Sequence, residues 1–394
     1  MMTEQAKVPA IRFAGFTDPW EQRKFSNLTD RVSMQSSDPD LPQVEYEDIV
    51  SGEGTLNKDL RDKEGGKTGI KFYAGDVLYG KLRPYLMNWL YPQFNGVAVG
   101  DFWVLRATEC DSSFLYRLVQ TDSFQRLANV SSGSKMPRAD WNLISQSFFA
   151  VPADYAEQRV IAKSLAELDD LITLHQRKYD KLVIFKKSML EKMFPKDGES
   201  VPEIRFAGFT DPWEQRKFSD MYEVNNERNT DCELGYDRTL SIATMTFNGG
   251  NGAADDSLNS YKVIRVGDIA FEGHANKVHA YGRFVLNDAG DGLMSPRFSC
   301  LRPIVEQRYS FWKYYIPHEE TMRPILVKAT KSGTMMNELV PDDLMRESIL
   351  APCLAEQEAI GDCLSQLDSL ITLHQRKLEL LQNIKKSLLD KMFV

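Results

Sequence analysis

An internal repeat constrains the fold of this chain more than any other feature of its sequence. The stretch Val8–Ser26, VPAIRFAGFTDPWEQRKFS, returns at Val201–Ser219 with a single difference. A second stretch, Leu168–Phe194, returns at Leu367–Phe393 with more substitutions but the same pattern. A period of about 200 residues is far too long for one unit of a solenoid. Each half of the chain is therefore predicted to be a domain followed by a connector.

Between the repeated stretches lie two middles, residues 27–150 and 220–350, that share almost no sequence. Both are rich in Gly, Asn, Asp and aromatic residues, and both contain short β-branched or alternating runs. Such runs, separated by turn residues, predict compact α+β domains with many loops. The predicted strands are Ile70–Tyr73, Val97–Leu105, Leu240–Met245, Tyr261–Val266 and Arg283–Leu286.

The second repeated stretch predicts two long helices. Mainly apolar residues recur at alternating steps of three and four over residues 161–193 and again over 360–392, which is a heptad stripe. His175 and His374 occupy matching places in it and are predicted to be interface histidines. Each helix is the simplest apolar partner for the other, so an antiparallel pair with a pseudo-two-fold arrangement of the halves is expected.

One lysine interrupts each stripe, Lys186 in the first copy and Lys385 in the second. A straight helix drifts against a seven-residue repeat. The neighbouring apolar residues, Phe185 and Ile384, are therefore expected to take over the buried position.

The helix ends carry recognisable signals. Asp154 with Glu157 three residues later, behind Pro152, forms a capping-box pattern. Cys353 stands at the equivalent cap position of the second copy, and Pro195 closes the first helix. We expect a first domain at 1–153, a helix at 154–196, a second domain at 197–352 and a helix at 353–394.

Composition narrows the function classes. The net charge of −8 is unusual for a protein that binds nucleic acid without partner subunits. DNA binding would therefore need either basic residues concentrated on one face or partner subunits that supply many of the phosphate contacts. Five scattered cysteines without a Cys-x-x-Cys pair favour reduced thiols in the cytoplasm. No apolar run is long enough to cross a bilayer, and Met1–Arg12 has no secretory pattern.

Motifs for catalysis are missing from the sequence. The triplet Gly66–Thr68 would need a glycine where Arg61 stands to form a phosphate-binding loop. No lysine has an acidic residue two places before it, as many nuclease sites require, and no motif for amino-methyl transfer or dinucleotide binding is present. His274 and His279 have no evident third ligand, so neither a metal nor a cofactor is predicted.

The residues leave two rival interpretations open. One is a self-contained enzyme with an unfamiliar site, and the other is a tandem sugar-binding or RNA-binding protein with a coiled-coil dimerisation segment. Neither requires two unlike domains in matching frames.

Two unlike domains, each followed by a matching long helix, resemble the specificity (S) subunits of type I restriction-modification enzymes. The resemblance covers essentially the whole chain. The second half departs from the pattern where Gly273-His274 replaces the basic Lys-Leu-Arg of the first. The local patterns that carry the resemblance are Gly75–Tyr85, Ser131–Pro137, Pro152 with Glu157-Gln158, Gly267–Lys277, Ser295–Pro303 and Lys331–Thr334.

The resemblance implies two target-recognition domains, each reading one half of a bipartite site in double-stranded DNA. It further implies that the helices set the spacing and dock two methyltransferase (M) subunits, with restriction (R) subunits joining through the complex. The chain itself would be non-catalytic, free of cofactors and cytoplasmic.

Basic residues in the middles are the candidates for DNA contact. Lys81 and Arg83 fall on alternate residues of a predicted strand, which would project both charges from one face toward phosphates. The predicted DNA-binding residues are Lys81, Arg83, Lys135 and Arg138 in the first domain and Lys277, Arg283 and Arg297 in the second.

Overall fold

A computed structural model describes residues 8–60, 65–130, 136–249 and 255–393. Lys135 and most of the predicted Ser131–Pro137 motif lie outside these residues. The chain divides into two compact units, one made of Met1–Arg177 with His374–Val394 and the other of Lys178–Leu373. Each unit contains one of the unmatched middles, the start of one long helix and the end of the other. Helices and sheets are mixed in both, which confirms the predicted α+β class.

The first half of the chain consists of short strands and helices leading to one long helix. Its elements are β1 (Glu21–Lys24), α1 (Phe25–Leu28), β2 (Thr29–Val32), β3 (Gln35–Ser36), β4 (Gln43–Val44), β5 (Ile49–Val50), β6 (Thr55–Leu56), β7 (Gly69–Phe72), β8 (Val77–Gly80), β9 (Trp89–Leu90), β10 (Gly96–Ala98), β11 (Phe102–Ala107), α2 (Ser112–Leu118), α3 (Asp122–Ala128), α4 (Trp141–Gln146), β12 (Phe148–Val151) and α5 (Tyr155–Lys192).

The second half follows the same plan. Its elements are β13 (Glu214–Lys217), α6 (Phe218–Met221), β14 (Tyr222–Val224), β15 (Leu240–Ser241), β16 (Thr246–Phe247), β17 (Lys262–Ile264), β18 (Ile269–Glu272), β19 (Arg283–Leu286), β20 (Gly292–Met294), β21 (Cys300–Pro303), α7 (Tyr309–Tyr315), α8 (Glu319–Ala329), β22 (Thr330–Lys331), β23 (Glu338–Leu339), α9 (Pro341–Arg346), β24 (Ser348–Ala351) and α10 (Leu354–Met392).

The two middles share an architecture that their sequences do not reveal. A four-stranded antiparallel sheet in the first unit has the order β2-β11-β8-β9, and one in the second has the equivalent order β14-β21-β18-β19. A further sheet of the first unit, β3-β7-β10-β4, contains one parallel pair, β10 with β4. The equivalent strands β8 and β18 are fully buried, so each sheet lies at the centre of its unit.

Three of the predicted strands need adjustment. Val97–Leu105 is not one strand, because a turn at Gly100 with φ of 102° separates β10 from β11. Leu240–Met245 forms only the two residues of β15 before Met245 adopts a left-handed φ of 47°. Tyr261–Val266 shortens to β17. The prediction of Ile70–Tyr73 is confirmed within one residue by β7, and Arg283–Leu286 is confirmed as β19.

The repeated N-terminal stretch forms the same strand pair in both units. β1 lies antiparallel to β12, with Glu21 opposite Val151, and β13 lies antiparallel to β24, with Glu214 opposite Ala351. In each case the partner strand leads directly into a long helix. The repeated sequence therefore builds a fixed frame around the base of each helix.

Both predicted long helices are confirmed, at 38 and 39 residues. Asp154 caps α5 as expected, its Oδ1 accepting the backbone N–H of Ala156 at 2.7 Å. The expected reciprocal capping by Glu157 is wrong, because its buried carboxylate binds Arg12 instead. Spacing along the chain cannot reveal a competing partner that arrives from a distant segment.

The two helices pack against each other within each unit. In the first unit they run antiparallel, because Asp169 meets Lys385 whereas His175, later in α5, meets His374, earlier in α10. Lys385 Nζ lies 2.7 Å from Asp169 Oδ1 in the first unit, and Lys186 Nζ lies 2.5 Å from Asp368 Oδ1 in the second. His175 and His374 meet through their Nδ1 atoms at 2.8 Å, which confirms them as interface residues.

The expected replacement of the stripe lysines by their neighbours is wrong. The side chains of Phe185 and Ile384 are 49% and 38% exposed, whereas Lys186 and Lys385 remain largely covered. An ion pair with the opposing helix offsets the cost of covering each lysine, so the stripe accepts a charge where periodicity alone favours an apolar residue.

Candidate nucleic-acid interface

The candidate interface of the first unit begins where β8 ends. Beyond Gly80 the chain is no longer part of the strand, but its backbone still forms hydrogen bonds to two neighbouring segments. Lys81 N–H donates to Asp101 O at 2.9 Å, and Lys81 O accepts from Ala139 N–H at 2.8 Å. Arg83 N–H donates to Pro137 O at 2.8 Å. These bonds join the Gly75–Tyr85 motif to the segment before α4, so they place Lys81, Arg83 and Arg138 close together.

The expected shared strand face for Lys81 and Arg83 is wrong. The strand stops at Gly80, and Arg83 has a left-handed backbone with φ of 50° and ψ of 62°. Pro84 follows as the first residue of a 3-10 turn, Pro84–Leu86. Because proline has no backbone N–H, it cannot extend the ladder. That residue was the sequence signal for the strand end.

The three described cations of this cluster differ in their partners. Arg138 Nη2 lies 2.9 Å from Asp101 Oδ2, and Lys81 Nζ lies 3.5 Å from Asp101 Oδ1. Arg83 is exposed, and its side chain has no carboxylate within ion-pair distance in the described part of the chain. One carboxylate shared by two of the three cations leaves the cluster net positive.

Tyr46 is a supporting residue that the sequence did not single out. Its hydroxyl donates to Asp101 O at 2.5 Å and accepts from Leu82 N–H at 3.2 Å. The ring stacks on Phe102 with centroids 4.6 Å apart. Burial raises the pKa of Tyr46 to about 12, so the phenol stays protonated and keeps donating at neutral pH.

The equivalent loop of the second unit begins after Glu272. Gly273 O accepts from Asn337 N–H at 2.9 Å, as Lys81 O accepts from Ala139. Lys277 and Arg297 are exposed, and their predicted contact with DNA stays a prediction. This bond ties the Gly267–Lys277 motif to a residue three places beyond the Lys331–Thr334 motif.

Arg283 is placed differently from the other predicted residues. Its Nη2 donates to Ala243 O at 2.8 Å, and its Nε lies 3.7 Å from the buried carboxylate of Glu272. Glu272 also accepts from His274, with Nδ1 2.5 Å from Oε1. Arg283 therefore bonds within the second unit, and its contact with DNA stays a prediction.

A buried aspartate supports the turn before each of these loops. Asp76 accepts two hydrogen bonds from Arg106, at 2.9 and 2.7 Å, and Asp268 accepts two from Arg302, at 3.1 and 3.0 Å. The aspartate hydrogen bonds raise the pKa of both guanidinium groups. The residue before each aspartate is a glycine with a left-handed φ, 89° at Gly75 and 91° at Gly267.

These pairs show why the Gly-Asp dipeptide occurs at the start of both motifs. The glycine permits the turn, and the aspartate ties it to the central strand of the sheet. The dipeptides can be aligned in the sequence, but their arginine partners do not stand out there.

Other kinds of site receive no support from the described ranges. No helix among the described residues is long and apolar enough to span a membrane. No group of three or more His, Cys, Asp or Glu side chains placed to hold a metal ion occurs within the same residues.

Comparison with known proteins confirms the predicted resemblance. No family model matches the sequence. The type I restriction enzyme MjaVIII specificity subunit of Methanocaldococcus jannaschii is 24% identical over 301 residues, covering 71% of this chain and 68% of the relative.

Solved structures of the same class have this fold. The type I restriction-modification S subunit from M. genitalium matches with a TM-score of 0.53 at 13% identity, covering 98% of this chain and 99% of that one. A chain from work on complex assembly and conformational transition of the type I R-M system matches with a TM-score of 0.51 at 18% identity, covering 95% and 97%. The chain is thus similar to type I specificity subunits in sequence and shares the fold of these structures.

Proposed function

We propose that this chain is the DNA-specificity subunit of a type I restriction-modification complex. Each unit reads one half of a bipartite site in double-stranded DNA. The observation that carries the proposal is the pair of equivalent loops after β8 and β18, which stand on sheets of the same strand order but differ in sequence. Two recognition loops of different sequence on sheets of the same strand order suit a DNA site whose two halves differ in sequence.

The predicted basic residues are proposed as the DNA contacts. Lys81, Arg83 and Arg138 lie together in the first unit, and Lys277 and Arg297 are exposed in the second. We assign the first three to phosphates, because a cluster of three cations suits the duplex backbone better than one base edge. Lys135 and Arg283 are weaker candidates for DNA contact. Lys135 lies outside the described residues, and Arg283 lies beside the carboxylate of Glu272.

The long helices are proposed to set the spacing and to dock two methyltransferase subunits. Leu171 and Leu174 on α5 are exposed, and so are Leu370 and Leu373 at the equivalent positions of α10. Exposed leucines recurring in pairs at helical spacing suit partner binding on the outer side of each helix. Restriction subunits would join through the same complex in the cytoplasm.

Catalysis is proposed to belong to the partners. The sequence carries no motif for methyl transfer or nuclease chemistry, and the relatives reported above are specificity subunits. The chain would therefore require no cofactor of its own, and S-adenosylmethionine would bind the methyltransferase subunits.

A comparison of host methylomes tests this function. Cells with the gene should carry one split, adenine-methylated motif, and deletion of the gene should erase it without affecting other motifs. The chain should also co-purify with a methyltransferase subunit. An unchanged methylome after deletion, or methyl transfer and cleavage by the highly purified chain alone, would contradict the proposal.

A further inference from the structure

The loop between β8 and β9 exposes a run of large apolar side chains. Tyr85, Leu86 and Met87 are 52%, 40% and 46% exposed. They form and follow the 3-10 turn Pro84–Leu86, next to the cation cluster described above. Three consecutive exposed apolar residues beside a cation cluster form a contiguous patch, and such patches often mark interaction sites.

The backbone of this turn is strained and held in place. Arg83 and Met87, which flank it, both have left-handed φ values, 50° and 53°. Met87 O accepts from Gly52 N–H at 3.0 Å, and Leu86 N–H donates to Arg83 O at 2.8 Å. Non-glycine residues keep such conformations only where the surroundings enforce them, and these sites are often functional.

The corresponding loop of the second unit repeats this combination with other residues. Val278 is 63% exposed and follows Lys277, also exposed. The side chain of Asn276 fixes the turn by accepting from Val278 N–H at 2.8 Å. An apolar tip beside a cation thus recurs at one place in the fold although the sequences differ.

We propose that the turn Arg83–Met87 is an apolar wedge that enters the DNA duplex at one base step. The Leu86 and Met87 side chains contact the bases, and Lys81, Arg83 and Arg138 hold the flanking phosphates. The wedge deepens the proposed function and rests on it. Leu and Met are among the side chains that minor-groove-binding proteins insert between base pairs.

The size and charge of the tip favour DNA over a protein partner. A stable protein interface buries on the order of 800 Å² on each side, which is far more than three side chains can supply. The three cations around the tip suit a polyanion, because each can neutralise one phosphate of the duplex.

The test uses the complex with its methyltransferase subunits and duplexes carrying the recognised site. The fluorescent base 2-aminopurine replaces one base at a time in the first half-site, leaving out the methylated adenine, because methyltransferases extrude their target base. The wild-type complex should raise the fluorescence at one base step, where stacking is broken. The double variant Leu86→Ala/Met87→Ala should lose that signal and bind about tenfold more weakly.

A matched control is Met34→Ala. Met34 is 54% exposed in the same unit, and its carbonyl accepts from Lys71 N–H of β7, on the other four-stranded sheet. Its replacement should leave affinity and fluorescence unchanged. Equal thermal stability and equal methyltransferase content in all complexes would show that folding and assembly are intact.

Two results would overturn the wedge. One is a double variant that binds and raises the fluorescence as the wild type does. The other is loss of the methyltransferase subunits with DNA contacts preserved, which would assign the tip to a protein interface. A wild-type complex that prefers no duplex would instead refute the proposed function itself, so the two failures are distinguishable.

Discussion

Arg12 and the buried Glu157 form a part-buried ion pair across 145 residues of chain, with Nε to Oε1 at 2.7 Å and Nη2 to Oε2 at 2.8 Å. Arg205 and Glu356 repeat it in the second unit at 2.6 and 2.8 Å. Each arginine belongs to the repeated N-terminal stretch, and each glutamate lies in the first turns of a long helix. The near-identity of the repeat thus has a structural cause.

The same stretch also binds the end of the other helix. Ile11 N–H donates to Lys391 O at 3.0 Å, and Ile204 N–H donates to Lys192 O at 2.9 Å. In each unit it therefore connects the start of one long helix to the end of the other.

Removing one partner of the Arg12–Glu157 pair should be costly. Glu157→Ala should lower the free energy of unfolding by about 2–3 kcal/mol, because it leaves the part-buried Arg12 guanidinium without its carboxylate and the Trp20 indole N–H without its acceptor. Equilibrium unfolding of the purified chain in guanidinium chloride measures the change in free energy. Glu21→Ala is the matched control, since Glu21 pairs with Arg23 at the surface and its loss should cost less than about 1 kcal/mol. Similar small costs for both variants would show that the Arg12–Glu157 pair does not stabilise the frame.

The two helix aspartates should differ in importance. Asp169 binds the buried Arg117 at 2.5 Å in addition to Lys385, whereas Asp368 accepts from the Tyr314 hydroxyl at 2.6 Å in addition to Lys186. Asp169→Asn leaves two charges unpaired and Asp368→Asn leaves one. The first should destabilise the chain by about 1–2 kcal/mol more than the second. Equal shifts in the unfolding midpoint would contradict this assignment.

Repetition and periodicity made the frame predictable from the sequence, but not its contacts. The stripe predicted both helices, and His175 and His374 meet as expected. The same pattern wrongly predicted that Phe185 would replace Lys186 in the helix interface, because the ion pair of Lys186 with the opposing helix overrides hydrophobic periodicity. The turn at Arg83 was missed because alternation was extended through a residue that precedes proline.

The strand order that the two middles share lay beyond sequence reasoning. The order β2-β11-β8-β9 and its counterpart arise from non-local strand pairing, which leaves little local signal. The Gly-Asp dipeptides at Asp76 and Asp268 marked equivalent turns, yet their arginine partners stand in another strand. Such pairs become visible only when the strands are placed side by side.

The cysteines should differ in reactivity. Burial raises the pKa of both Cys110 and Cys300 to about 12, whereas Cys232 and Cys353 are exposed. Since the thiolate is the reactive form, iodoacetamide at about pH 8 should modify the exposed pair and spare the buried pair until the chain unfolds. Peptide mass spectrometry gives the answer. Rapid native labelling of Cys300 would contradict the packing around β21.

Replacing Arg83 tests the phosphate contacts. Arg83→Ala, assembled with the methyltransferase subunits, should bind its DNA more weakly, and the salt dependence should become shallower by about one counterion. Lys328→Ala is a suitable control, because Lys328 is an exposed cation of the second unit that pairs with Glu347. Binding titrations at several salt concentrations measure both slopes. Unchanged affinity and slope for Arg83→Ala would remove this residue from the interface.

The role of the helices in spacing leads to the most demanding experiment. Four residues added to one helix alone would shift its ion pairs against the other helix. Matched insertions avoid this, one between Arg177 and Lys178 in α5 and one between Leu373 and His374 in α10. These points coincide with the division between the compact units. Each insertion lies between the two units, so the residues of each contact stay together. The Lys186–Asp368 pair of the second unit and the helix contacts of the first unit should therefore be preserved.

Four residues lengthen a helix by roughly 6 Å and rotate the rest of that helix by about 40°. On B-DNA this length is slightly less than two base pairs at about 3.4 Å each. Because neither unit is altered, both half-sites should stay the same while the gap between them grows by one or two base pairs. The methylated motif in cells carrying the lengthened gene gives the result directly. An unchanged gap with both half-sites still modified would mean that the helices do not set the spacing and serve only to dock partners.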